Sequence, residues 1–418
     1  MSGTTDFVGV RVFSDLTSTI AKIDTRDSTT IGMPLPAPAA DNTRYPIGEL
    51  SRIPLDDPEA VADLGEGLAR DAVNQIASEG IITDILFYRA QHSTKENPAE
   101  ALEEEINAIA GSAGAKTGVW AFVDAYSEFK KYPGLIISPG YTSQRIGDAA
   151  NAVASAMNGV CTRLIDCMAI VDTPTTNREA AAAYAEDFAT ALNVIAMYPN
   201  AVVNVGDGNV TRPLSPHVAG AIVRRDKEAG NPFKAAWNRP LNGVLGPSQR
   251  VGYTDGDIAS DANFLNQNGV GTVIEGRLLW APFTTATDPT VKNWRSIKRI
   301  RTRRAIEKAV LRPLRKYMAE DLNPHTATLI FRSLDEYLGD LVALGALIDY
   351  EVLWDPAMNP ATLLEAGAMR VRARFAETPD LVDLQIYTEP QPEAFDALAA
   401  AIAAAINSLG RPNLRVAA

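Results

Sequence analysis

Imidazole and thiol groups are scarce in this chain. His92, His217 and His325 are its only histidines, and Cys161 and Cys167 its only cysteines. No two histidines stand at ligand spacing and no Cys-x-x-Cys occurs, so neither a metal site nor any other cofactor is expected. The two cysteines, six residues apart, would point to different faces of one helix. They read as small buried side chains, with a bond between neighbouring subunits as the other possible use. Nucleophilic catalysis finds no Gly-x-Ser-x-Gly elbow. Ser138 lies in YPGLIISPGYTSQ (132–144), between Ile137 and Pro139, and lacks an elbow's small neighbours. Even so, Ser138, Tyr141, Thr142 and Ser143 follow an apolar run, where an α/β chain would hold a ligand. The plainer reading is a strand end turned by Pro139 and Gly140, with Thr142 or Ser143 capping the next helix.

Phosphate loops are mimicked and then fail. Gly111-Ser-Ala-Gly114-Ala-Lys116-Thr117 is too short for a Walker loop and follows a helical stretch where a strand is required. Gly269-Val-Gly271 precedes a strand where a helix should open. Carboxylates make the best enzyme case. Asp124 and Asp172 each follow an apolar run read as a strand and could hold Mg²⁺ or serve as acid and base. Helix capping or plain solvation is the competing role. The strongest charge signal is cationic: Lys292, Arg295, Lys298, Arg299, Arg301, Arg303, Arg304, Lys308, Arg312, Arg315 and Lys316 crowd one segment with only Glu307 against them. Such a cluster repels itself unless something anionic faces it. The expected use is a docking surface for a protein, since only Trp294 and Tyr317 supply the aromatic interleaving of a single-strand nucleic-acid site.

The elements that would carry these groups fall into two styles. From about residue 29 to 273, apolar runs at 82–88, 119–123, 135–137, 168–171, 194–197 and 201–205 alternate with helical stretches at 58–78, 99–110, 143–157 and 178–192. That grammar predicts an α/β layer with a mainly parallel sheet. Beyond about residue 277 it predicts a helix over 291–311 stopping near Pro313, a second from 324–326 to Gly345, and a third over 393–409. Two alternating strands lie between the last two. One shows Ile348, Tyr350, Val352 and Trp354 on one face, and the other Met369, Val371, Ala373 and Phe375, with Arg370, Arg372 and Arg374 opposite. This half is α+β, an antiparallel sheet covered on one side. Strand-like FVGVRVF (7–13) and NLRV (413–416) have no obvious partner in the chain, and terminal strands of that kind are unstable unless they join a sheet.

The 418 residues suffice for two or three domains, and 46% hydrophobic with 22% charged residues is a globular composition. A net charge of −12 argues against general nucleic-acid or anionic-membrane binding. No run approaches the ~18 apolar residues of a membrane span, and MSGTTDFVGV is no signal peptide, so a soluble, cytosol-made protein is expected.

The order of segments resembles the contractile tail sheath proteins of bacteriophages and phage-derived contractile injection particles. The resemblance spans nearly the whole chain. It rests on GVRV (9–12), LIISPGYTS (135–143), PHVAGAIVRRDKEAGNPFKAAWNRPLNGVLG (216–246), FLNQNGVGTVIEGRLLWAPFTT (264–285), LGDLVALGALIDYEVLWDPAMNP (338–360) and AGAMRVRARFAETPDLVDLQIY (366–387). One segment departs: where the family usually ends in Trp-Gly-x-Arg-Thr, this chain reads Leu-Trp-Ala-Pro-Phe-Thr around Trp280. The resemblance implies a structural subunit, not an enzyme, that stacks as hexameric rings around a tail tube and contracts to drive the tube through the host envelope. Implied partners are copies of itself, the tail tube protein, and baseplate and terminator proteins, in a virion tail assembled in the host cytoplasm.

It also implies an N-terminal arm (1–20), an α/β outer domain (21–275), an α+β inner domain (276–409) and a C-terminal arm (410–418). Phe7, Val8, Val10, Val12, Phe13, Leu414 and Val416 would add strands to neighbouring subunits, with hinges at 14–18 and 410–412. Lys298, Arg301, Arg304 and Lys308 would face the tube, so Arg301→Glu with Arg304→Glu is expected to leave the fold intact and abolish assembly on tubes. The alternatives are an α/β hydrolase-like or nucleotide-binding enzyme using Asp124 and Asp172, and a self-assembling scaffold that does not contract.

Overall fold

Apolar runs buried at every position, such as Leu135–Ile137 and Val194–Met197, are strands covered on both faces, which is how parallel sheets read. A computed structural model describes residues 21–25 and 28–409. In chain order the strands are β1 (Ile31–Pro36), β2 (Leu50–Pro54), β3 (Asp84–Ala90), β4 (Leu135–Ile137), β5 (Met168–Asp172), β6 (Val194–Met197), β7 (Ala201–Asn204), β8 (Asn209–Arg212), β9 (Val244–Pro247), β10 (Val270–Ile274), β11 (Leu278–Trp280), β12 (Leu347–Leu353) and β13 (Arg372–Glu377). The main helices are α1 (Leu68–Ser78), α2 (Pro98–Ala110), α3 (Ala152–Leu164), α4 (Arg178–Glu186), α5 (Ser215–Ala229), α6 (Ile297–Leu314), α7 (Pro324–Ala343) and α8 (Glu393–Ser408).

Eight strands form one sheet in the order β11-β10-β6-β5-β4-β1-β3-β2. Its six central strands are parallel, and β2 and β11 are antiparallel at the edges. Alternate strand residues feed two cores. Met33, Phe87, Ile137 and Ile170 meet α1 and α5 through Ile76 and Val218. Leu86, Ile136 and Val171 meet α2, α3 and α4 through Ile106, Met157 and Tyr184. A third cluster joins α6, α7 and β12 through Ile306, Ala309, Leu338, Leu341 and Leu347. The expected mixed α/β architecture is present. The boundary expected at 275/276 falls between β10 and β11, which are hydrogen-bonded neighbours at Thr272 and Trp280. Among the described residues, those up to Asp380 form one compact unit and those from Leu381 on another.

Several expected elements differ. The run 119–123 is a 3-10 helix, Gly118–Asp124, and not a strand. The sheet has no place for it, because β3 and β4 already have neighbours on both sides. Gly118 also holds a left-handed φ of 61° against Ile109 O, a site that only glycine fits. The long helix expected over 58–78 is broken between Pro58–Ala62 and α1. There Gly65 (φ +67°) lets the backbone pass Ala39, whose carbonyl a Cβ would meet at 2.3 Å. The helix expected from Ser143 begins at Ala152, capped by Asn151, whose Oδ1 accepts from Ala154 N at 2.9 Å. The run 201–205 supplies β7, the centre of a separate antiparallel sheet with β8 and β9.

Candidate functional site

The sheet order reverses at β1 and β4, and in an open α/β fold ligands gather at the carboxyl ends of such strands. The loop after β4 is that place, and its side chains are spent on the chain itself. Ser138 is fully buried and its Oγ donates to Pro34 O of β1 at 2.9 Å. Tyr141 donates to Glu105 of α2 at 2.8 Å. Thr142 Oγ1 accepts from Asp172 N at 2.9 Å, so it ties β5 to the loop and caps no helix. Gly140 sits against Leu68, whose Cδ2 a Cβ would meet at 2.7 Å.

The two candidate carboxylates do not act as a pair. Asp124 ends the 3-10 helix, half-exposed, with Lys116 Nζ beside it at 2.5 Å. Asp172 is buried at the end of β5. Its carboxylate accepts from Leu214 N and Ser215 N, each at 2.9 Å, and from Ser215 Oγ at 2.5 Å. Asp172 therefore caps α5 from the end of β5, on the sheet face that α5 covers. Burial pushes its pKa up to about 6 against these stabilising donors.

Histidine and cysteine are structural as well. His92 pairs with Glu105, and His325 is exposed at the start of α7. His217 lies buried in α5 with Nδ1 3.5 Å from Glu79, a fully buried carboxylate that Arg224 holds at 2.5 Å. Among the described residues no three potential ligands group around a metal position. Cys161 and Cys167 do not point apart, because α3 ends between them and Ile165 takes a φ of 71°. Their sulfurs stand 3.2 Å apart, both buried, so neither reaches a neighbouring subunit.

The cationic segment is α6, preceded by a 3-10 turn at Lys292–Trp294. Arg301 is 5% exposed and forks onto Asp226 of α5 at 2.9 and 2.5 Å. Burial disfavours this guanidinium, yet Asp226 raises its pKa above the ordinary value. Lys298 pairs with Asp380 at 3.4 Å. Arg299 and Arg303 share Glu377 of β13 at 3.5 and 2.6 Å. Arg304 pairs with Glu307 at 3.0 Å, and Lys308 donates to Leu164 O at 2.8 Å. The counter-charge that the segment lacks in sequence thus comes from α5, β13 and Asp380. Arg301, expected on a tube-facing surface, is instead a buried strut between α6 and α5. Asp226 and Glu377 were not singled out in sequence; the only signal was an acid amid the cations of VRRDKE, on the apolar side of α5.

β12 and β13 form a two-stranded antiparallel sheet. Tyr350, Val352, Val371 and Phe375 pack on the α6–α7 cluster, the covered face that the alternation predicted, while Glu351 pairs with Arg374 at 3.5 Å on the other. Ile348 and Trp354, expected on the covered face, are 60% and 43% exposed where the pairing bulges and ends. Among the described residues neither outer edge of this sheet has a strand partner. The arm residues Phe7, Val8, Val10, Val12, Phe13, Leu414 and Val416 lie outside the described residues.

A profile of the phage tail sheath protein central domain matches residues 99–277. A prophage major tail sheath protein of Pseudomonas aeruginosa (strain UCBPP-PA14) is 31% identical over 288 residues, covering 67% of this chain and 72% of the relative. The major tail sheath protein of Serratia phage KSP20 is 25% identical over 400 residues, covering 93% and 97%. The fold resembles the sheath of the PVC extracellular contractile injection system in its contracted state, with a TM-score of 0.68 at 15% identity over 94% of this chain and 100% of the other. The contracted helical sheath of the anti-feeding prophage gives 0.64 at 20% identity over 93% and 100%. The sequence relatives are structural proteins and not enzymes, which removes the hydrolase and nucleotide-binding alternatives. The chain belongs to the phage tail sheath family and is a structural protein of the contractile tail of a phage or phage-like injection particle.

Proposed function

We propose that this subunit polymerises as stacked hexameric rings around a tail tube and shortens to drive the tube through the host envelope. The observation that carries the assembly reading is the β12–β13 pair. Two strands alone are marginal in water, and an open edge is a template for a further strand. The arms 1–20 and 410–418 supply those strands in trans, through Phe7, Val8, Val10, Val12 and Phe13 at one end and Leu414 and Val416 at the other. Each backbone hydrogen bond so formed contributes about 0.5–1.5 kcal/mol, so a few per arm connect every subunit to its neighbours. Hinges at 14–18 and 410–412 let the bodies rotate while the strands stay paired, which makes contraction a switch between two packings. The outer part is the α/β body to about residue 275, and the inner part is the α6–α7 layer with β12 and β13.

Further partners follow from the same reading: the tube protein, a terminator and a baseplate. A chain of the anti-feeding prophage baseplate shares this fold at a TM-score of 0.62. The tube contact belongs to cations of the α6 segment that stay accessible, Arg304 on the helix and Arg315 and Lys316 at its exit. Lys298 and Lys308 are held by Asp380 and Leu164 O, and they position the helix. Deleting residues 1–14 tests the arm. The truncated chain is expected to keep its circular dichroism and melting transition while losing polymer in sedimentation. Unchanged polymerisation would contradict the strand-addition reading.

A further inference from the structure

Between α6 and the segments leading into β1 and β4 lies a cavity of about 300 Å³ that no contact described above fills. Two tyrosines line it, Tyr126 and Tyr132, stacked with centroids 5.1 Å apart. The Lys308 ammonium lies 4.5 Å from the Tyr132 ring centre, and Arg312 donates to Tyr126 Oη at 2.7 Å. Lys130 and Lys131 complete the cationic lining, in which Asp166 is the only acid among the described residues. Lys131 is held by Asp84, but neither Lys130 nor Arg312 has a carboxylate partner among the described residues. Ser28 supplies an independent sign. It is 6% exposed, lines the cavity, and its Oγ has no hydrogen-bond partner among the described residues. A buried hydroxyl left unsatisfied costs about 1–3 kcal/mol, which a ligand oxygen would relieve.

We infer that this cleft receives a carboxylate side chain from a second copy of the chain. Charge complementarity favours that occupant: the chain carries 51 acidic against 39 basic residues, yet among the described lining residues four cations stand with Asp166 as the one acid, and Asp84 outside the lining holds only Lys131. The tyrosine walls suit the methylene stem of an aspartate or glutamate. A phosphate is less well served, because the Gly134 N–H is spent on Thr30 O at 2.9 Å. The inference rests on the self-assembly reading and names one contact within it.

Lys130→Asn with Arg312→Gln removes two accessible charges, and asparagine tolerates the left-handed φ of 56° at position 130. The variant is expected to melt like the parent chain but to need at least tenfold more protein to polymerise. Zero-length carbodiimide cross-linking of parent polymers, read by mass spectrometry, should join Lys130 to an Asp or Glu of another copy. Parent polymers without such a link, together with a variant polymerising at the parent concentration, would overturn the cleft contact and leave the sheath reading intact. A parent chain that never polymerises would overturn both. Inorganic phosphate that protects Lys130 from acetylation in the monomer, with no effect of the variant on polymerisation, would overturn it in favour of a small anion.

Discussion

The Asp172 carboxylate combines deep burial with three donors from the start of α5. Its pKa near 6 lies above the ordinary 3.8, so the folded chain holds this proton more tightly than the unfolded chain does. Stability from this group is therefore greatest below the unfolded value and falls as pH rises from about 4 to about 6, by about 3 kcal/mol in all. Asp172→Asn should flatten that loss, and urea unfolding of both proteins at about pH 4 and about pH 7 measures it. Parallel pH dependences would refute the assignment. Arg301 makes the complementary case. Arg301→Ala takes the guanidinium away from buried Asp226 and is expected to cost about 3–5 kcal/mol in the same assay, against a few tenths for Arg304→Ala. Arg301→Glu with Arg304→Glu, expected from sequence to spare the fold, would set a carboxylate against Asp226 in a buried site and unfold it. Both side chains stood out in sequence, Asp172 as an acid at a strand end and Arg301 as one of a crowd. Their partners are 43 and 75 residues away, a distance that no local pattern bridges.

At the scale of elements, legibility followed burial. β4, β5 and β6 were plain because runs buried on both faces must be continuously apolar. α7 was plain because Pro324 opens it and Gly345, at φ 74°, ends it. The 119–123 run was not, because a short apolar stretch has no period to separate strand from turn, and the sheet's neighbours decide. α6, expected over 291–311, runs over Ile297–Leu314, yet its role was not readable from its own residues, since the charges that neutralise it lie on α5, β13 and Asp380. The exit of the helix is exposed at Arg315 and Lys316, which the proposed tube contact includes. Arg315→Glu with Lys316→Glu should leave melting unchanged and weaken co-sedimentation with tubes severalfold, more at low salt than at high. A loss independent of salt would point to packing and not to charge.

For the whole molecule, the order of motifs carried more than any single site. Six segments in sequence pointed to the sheath family, and the profile match, the Pseudomonas relative and the fold agree with that. The enzyme reading fell residue by residue: the ligand crevice at β1 and β4 is closed by Ser138, Gly140 and Thr142, and Asp172 caps a helix. Under the proposed assembly, the edges of the β12–β13 sheet that stay open among the described residues are where the arms would pair. The most direct test is negative-stain electron microscopy of the purified protein, with light scattering on the same sample. Long hollow tubes with helical striations are expected. A uniform small oligomer that forms no tubes at high concentration, alone or with added tail tube, would contradict the account.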